Sequence, residues 1–300
     1  MFTRCDTTKV QIGNITMGGS DEVIIQSMCN TLTKDYQATI NQIHQLEKVG
    51  CQMIRCSVLD QQDAKCLKII KDNIHIPLVA DIHFDYKLAL IAIESGVDKI
   101  RINPGNIGDD QKLLEIINTA KKYNVPIRIG VNKGSLEKDL INANLSEEEK
   151  LVSSALKYIE KFEKYDFRNL VISVKASNPL VTLNAYRLIS SKTDYPLHIG
   201  VTESGYDEIG IIRSVSALSP LILDGIGDTI RISLTHNPQK EIKTCVRLLH
   251  DLGLYPNYPT IISCPTCGRC QVTNTAKIAD QVLNYLEENF MFMLKKRMMN

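Results

Sequence analysis

The chain has 300 residues, 44% of them hydrophobic, with 35 Lys and Arg against 34 Asp and Glu. That apolar content can bury one large core or two smaller ones, which excludes a disordered chain. The near-neutral balance excludes a polycationic nucleic-acid binder, so any anion site must be local. In chain order, short β-branched runs then recur, each leading into a helical pattern. The strand runs are Val23 to Ile25, Met53 to Cys56, Leu78 to Ala80, Lys99 to Ile102, Ile127 to Ile129, Leu170 to Val174, Leu197 to Ile199 and Thr229 to Ile232. The helical patterns cover Tyr36 to Val49, Asp63 to Ile70, Lys87 to Ser95, Gln111 to Tyr123, Ser146 to Phe162, Leu180 to Ser190, Glu208 to Leu218 and Pro238 to Asp251. Such alternation fits a (β/α)8 TIM barrel, and periodicity alone leaves a doubly wound sheet open.

The longest break follows the fifth strand, where Asn132 to Asp139 is too polar for a strand and reads as a lid or phosphate-embracing loop, or as a plain connection. Ser146 with Glu149 then forms a capping box for the next helix. Tyr255-Pro256-Asn257-Tyr258-Pro259 marks a boundary, giving a barrel over 1–254 and a second unit over 255–300. The second unit should hold one strand, a cysteine motif and a helix from about Thr275 to Glu288, a fragment of an α/β domain. The apolar-then-basic end, Phe290 to Arg297, reads as a frayed or aberrant terminus, or as a helix end that faces a membrane or a partner. With no apolar leader and no apolar run near the roughly 18 residues that span a bilayer, no membrane is expected. The six cysteines outside the motif lack disulfide-framework spacing, which points to a reducing, cytoplasmic setting.

Cys264-Pro265-Thr266-Cys267-Gly268-Arg269-Cys270 can converge thiolates on one metal or iron–sulfur cluster. No cysteine follows it, so the segment lacks a fourth sulfur ligand. Cluster, zinc and no metal all stay open on spacing alone. The strand ends are cationic: Arg55, Arg101, Arg128, Lys175 and Arg231 each sit in or at the end of a separate apolar run. In a barrel these would face one mouth, which is unfavourable unless a polyanion such as diphosphate fills it. Gln26, Ser27, Asp81, His83, Asn103, Asn132, Glu203, Asp228 and Ser233 accompany them. Asp81 and His83 share a strand face, as a catalytic or a structural pair. The turns Asn103 to Gly108 and Asp224 to Asp228 offer N–H groups that suit an oxyanion, although neither is a dinucleotide fingerprint.

Several segments together resemble the 4-hydroxy-3-methylbut-2-enyl diphosphate synthase family: Gln26-Ser27-Met28, Val79 to Asp85, Arg101 to Gly108, Arg128 to Asn132 with Gly134 to Glu137, Ser173 to Ser177, Gly225 to Thr229 and Cys264 to Cys267. The resemblance implies a barrel that binds 2-C-methyl-D-erythritol 2,4-cyclodiphosphate, a C-terminal domain with a [4Fe-4S] cluster, and a homodimer. It also implies reductive ring opening in the non-mevalonate isoprenoid pathway, with electrons from flavodoxin or ferredoxin. On this chain Arg55, Arg101, Arg128 and Lys175 match diphosphate-binding residues, and Asp81, His83, Asn103, Asn132, Glu203, Arg231 and Ser233 complete the expected substrate site. Cys264 and Cys267 match the first two cluster ligands; Cys270 matches none but remains a candidate. The family's third cysteine and its Asn-Gly-Pro-Gly-Glu segment, whose glutamate is a ligand, do not occur here. The expectation is therefore a truncated or frame-shifted member with an incomplete iron–sulfur domain. Two alternatives are an inactive barrel that only binds diphosphate, and a zinc-stapled, aldolase-like barrel with Lys175 as its Schiff-base lysine.

Overall fold

The computed structural model describes residues 6–20, 22–235, 237–255, 258–269 and 274–298. A hairpin that the hydrophobic pattern did not reveal opens it, β1 (Val10–Ile12) antiparallel to β2 (Ile15–Met17). Gly13 turns the hairpin at φ +55°, where an added Cβ would lie 2.6 Å from Asp98 Oδ1. Its apolar side chains Val10, Ile12 and Met17 pack with Ile24, Met53, Val79 and Val171 into a small cluster that plugs one end of the barrel.

The eight strand runs form β3 (Ile24–Met28), β4 (Met53–Val58), β5 (Leu78–Ile82), β6 (Lys99–Ile102), β7 (Ile127–Asn132), β8 (Leu170–Lys175), β9 (His198–Ile199) and β10 (Thr229–Ile230). They pair in parallel in the order β8-β7-β6-β5-β4-β3-β10-β9, and a parallel bridge between Ile172 and Leu197 joins the two ends. The sheet therefore closes into a (β/α)8 barrel, which removes the doubly wound alternative.

The helices α1 (Tyr36–Lys48), α2 (Gln61–Asp72), α3 (Tyr86–Glu94), α4 (Pro104–Ile107), α5 (Asp110–Tyr123), α6 (Lys138–Ile141), α7 (Glu147–Lys164), α8 (Pro179–Ser190), α9 (Asp207–Leu223) and α10 (Pro238–Asp251) follow in order. Asp35, Asp60, Asp85, Asp109, Ser146, Asn178 and Asn237 begin most of the long ones, each accepting a backbone N–H of the first turn. Such caps contribute about 1 kcal/mol apiece and fix where each helix leaves the barrel mouth. The main core fills the shell between strands and helices. The segment read as a lid, a phosphate-embracing loop or a plain connection folds as a tight turn at Lys133–Ser135 and the short α6, with Ser135 and Leu140 buried.

Beyond α10 the expected strand is absent: residues 259–267 carry no regular structure, and Ile262 is 93% exposed. The β-branched run at Ile261-Ile262 has no sheet edge to pair with, and strand propensity alone does not hold a strand. The last helix, α11 (Thr275–Met298), runs further than the sequence pattern placed it and touches α1.

Candidate functional site

Strand register builds the site. Pairing sets Asp81 beside Arg101, Arg101 beside Arg128, and Met28 beside Arg55, so these side chains share the inner face of the barrel. TIM-barrel interiors are normally filled by branched aliphatics. Here only the end plugged by the hairpin is apolar; above it lie Lys99, Arg128 and His198, then the mouth residues.

Asp81 is the hub. Arg101 Nη1 donates to its Oδ1 at 3.1 Å, while Arg55 Nε lies 3.5 Å and His83 Nε2 3.3 Å from Oδ2. Burial alone would raise this carboxyl, but Arg55, Arg101 and His83 together hold it well below the usual carboxylate range. On the opposite wall Arg231 Nε lies 3.6 Å from Glu241, which also accepts the Leu234 N–H at 2.8 Å. Burial pushes the Glu241 carboxyl up against the pull of Arg231.

Among the described residues those two carboxylates are the ones within ion-pair distance of the mouth cations. Arg128, 1% exposed, has only Ser173 Oγ at 3.3 Å from Nη1, and its Nε and Nη2 have no acceptor; nor does Nε of Arg101. Lys175 Nζ donates to His198 Nε2 at 3.1 Å. Arg55 Nη2 and Lys99 Nζ reach only thioethers, Met28 Sδ at 2.9 Å and Met53 Sδ at 3.0 Å, which are weak acceptors. Burial first, and the neighbouring cations second, push Lys175, Arg128 and His198 well down from their ordinary values. Arg55 falls to about 10 for the same main reason.

These groups surround a cavity of about 390 Å³, counting the part open to solvent. Arg55, Arg101, Arg128, Asn132, Lys175, Arg231 and Ser233 line it, together with Ser173 and Thr202, which sequence reasoning did not single out. Two glycines make the room. A Cβ on Gly130 would lie 2.5 Å from Arg101 Nε, and one on Gly200 would lie 2.5 Å from Arg231 O and 2.6 Å from Lys175 Nζ. His83 follows β5 at the rim, and Asn103 is buried at the start of α4. Glu203 accepts from Ser177 Oγ at 3.4 Å in the loop after β9.

Some residues expected at the mouth do not line this cavity. Asp228 sits at the other end of the barrel, where its carboxylate accepts from Thr7 Oγ1 and the Leu197 N–H, both at 2.7 Å. Its Gly-rich turn joins α9 to β10 at that end, away from the mouth. Ser27 points outward to Glu241 at 3.5 Å, and Gln26 lies inside the barrel with its amide unpartnered. Lys99, His198 and Glu241 were missed. Lys99 carried a signal, since it stands two residues before Arg101 on the same strand face; His198 and Glu241 carried none.

Cys264 and Cys267 are exposed on the irregular segment after α10 and do not line the cavity. That segment starts near the plugged end, where Thr260 hydrogen-bonds His250 in the last turn of α10 at 2.7 Å. Cys270 lies outside the described residues. A [4Fe-4S] cluster normally takes four protein ligands and structural zinc four. The described residues offer two thiols here, so they do not make a complete site for either. No described helix is long and apolar enough to cross a membrane.

The family description of the GcpE TIM-barrel domain matches residues 7–246. A 4-hydroxy-3-methylbut-2-en-1-yl diphosphate synthase (flavodoxin) of Listeria monocytogenes is 49% identical over 94% of this chain and 77% of its own length. The enzyme of the same name from Caldicellulosiruptor saccharolyticus is 50% identical over 92% and 79%, and that from Clostridium perfringens 48% over 96% and 83%. Among solved structures, dihydropteroate synthase of Xanthomonas albilineans superposes with a TM-score of 0.61 at 12% identity, covering 84% of this chain and all (100%) of that one. At that identity the likeness shows the barrel fold alone.

Proposed function

The chain belongs to the GcpE family of flavodoxin-dependent 4-hydroxy-3-methylbut-2-en-1-yl diphosphate synthases, and from that premise we propose that its barrel mouth binds 2-C-methyl-D-erythritol 2,4-cyclodiphosphate for reductive conversion to 4-hydroxy-3-methylbut-2-enyl diphosphate and water. One observation carries the reading: a cavity of cations that holds fully buried guanidinium N–H groups without acceptors. Buried polar groups are normally satisfied, and the diphosphate oxygens supply the charge and geometry that these forks match. Arg55, Arg101, Arg128, Lys175 and Arg231 take the diphosphate. Asn103, Asn132 and Ser233 orient the remaining oxygens, Asp81 and His83 set the position of the arginines, and Glu203 closes the rim. Family membership sets aside the aldolase-like reading.

Residues 1–254 form the substrate-binding unit in this reading, and 255–300 contribute Cys264 and Cys267 toward a [4Fe-4S] cluster, with Cys270 as a further candidate ligand and the family's third cysteine and glutamate not occurring in this sequence. Electrons then come from flavodoxin, as the names of the relatives imply. A homodimer is part of this reading: α10 carries the chain about 20 Å from its own mouth before the cysteines, which leaves them for the mouth of a second copy. Calorimetric titration of the cyclic diphosphate is the test. Arg101→Ala should lose about 2–5 kcal/mol of binding, with Arg101 being a charge-paired group; an unchanged affinity overturns the assignment.

A further inference from the structure

On the outer wall of the barrel, at the plugged end, α1 and the loop between α2 and β5 bring together His44, Glu47 and His75. Each places a ligand-capable atom within 4.8 Å of the other two, the one such group of three among the described residues. His44 and Glu47 stand three apart on α1 and so share a helix face. His75 arrives from 28 residues further on.

The hydrogen bonds set which ring nitrogens are free. Nε2 of His44 meets the Asn73 carbonyl at 2.8 Å, and Nδ1 of His75 meets Glu47 Oε2 at 3.0 Å. With Nε2 of His44 as the donor to Asn73, its Nδ1 keeps its lone pair; Nδ1 of His75 and Oε2 of Glu47, 3.0 Å apart, form one edge of a coordination shell once an ion replaces the proton between them, and the two rings stand 5.6 Å apart. An imidazole that gives its second N–H to a backbone carbonyl, as His44 does to Asn73, is the usual state of a metal-bound histidine. Glu47 is 7% exposed and is anchored by the His75 backbone N–H at 2.9 Å, so its carboxylate is held in place before any ion arrives.

We propose that His44, Glu47 and His75 bind one divalent transition-metal ion, with two imidazoles, one carboxylate and water completing the shell. Nitrogen and carboxylate ligands with an open position suit zinc. The site is remote from the barrel mouth, at the end where barrel features serve stability. Its effect is to clamp α1 to the loop that feeds β5, the strand carrying Asp81.

Zinc titration by calorimetry tests this on the full chain in a Cys264→Ser, Cys267→Ser, Cys270→Ser background, which removes the competing thiols. One zinc per chain with roughly micromolar affinity is expected, with a rise in the unfolding midpoint. His75→Gln, at a largely exposed side chain, should weaken it at least about tenfold and abolish the midpoint shift. His44→Gln should do the same, and the metal-free midpoint of each variant shows whether it is folded. Zinc binding unaffected by both substitutions, or no binding in the parent, overturns the proposal.

Discussion

Replacing Asp81 by Asn removes the charge that holds two arginines while keeping the shape of the side chain. At an effective dielectric of about 20, the separations of 3.1 Å to Arg101 and 3.5 Å to Arg55 correspond to about 5 kcal/mol of attraction each. Most of that is offset by the cost of burying the carboxylate, and removing one partner of a buried pair costs a net of about 3–5 kcal/mol. For a domain of this size each kcal/mol moves the unfolding midpoint by about 2 °C, so a fall of about 6–10 °C is expected at neutral pH. The carboxyl is depressed in the folded protein, so its contribution is complete above its unfolded pKa of about 3.9 and is lost as pH falls through the folded value. The gap between wild type and Asp81→Asn should therefore narrow in acid. Inorganic pyrophosphate should raise the midpoint of the variant more than that of the wild type, because an anion in the cavity replaces the lost charge. Differential scanning calorimetry with and without pyrophosphate reads both effects. A variant as stable as the wild type, or an equal response to pyrophosphate, would refute the view of Asp81 as the compensating charge.

Burial and the surrounding arginines lower the affinity of Lys175 and His198 for a proton, and a bound diphosphate, by offsetting those positive charges, should raise it for the pair. Calorimetry in buffers of different ionisation enthalpy should find net proton uptake, with affinity falling as pH rises through the bound-state pKa; Lys175→Met should abolish the uptake, and none in the wild type would contradict the mechanism. Gly200→Ala forces a Cβ against the Arg231 carbonyl and Lys175, so chemical denaturation should show a loss of about 1–3 kcal/mol with weaker pyrophosphate binding. Anaerobic iron and sulfide reconstitution should load less iron when Cys264 and Cys267 are replaced by Ser than in the unaltered chain, as measured by iron content after gel filtration; equal loading would remove these cysteines from the cluster assignment.

Much of the molecule is legible in one dimension because its determinants are local. The β-branched runs and the Asp, Ser and Asn caps set eight βα units, and alternation along each strand put Arg55, Arg101, Arg128 and Lys175 on one face. Once a barrel is assumed, such residues converge without further information. The motifs carried family membership for the same reason, being runs of adjacent residues. What local pattern could not decide depends on partners distant in sequence. Gly130 and Gly200 matter because Arg101 and Lys175 need the space beside them, and Glu241 meets Arg231 and Ser27 only after β10 closes on β3. The β1–β2 hairpin is too short to register as periodicity and gains its stability from the barrel end it plugs. Asp228 and Ile262 show the converse: a plausible site residue falls at the wrong end, and a plausible strand stays irregular without a neighbour to bond. Sequence determined which residues could form elements and share faces; tertiary closure decided which of them face one another, because burial, charge compensation and hydrogen bonding exist only between groups that the fold has brought into contact.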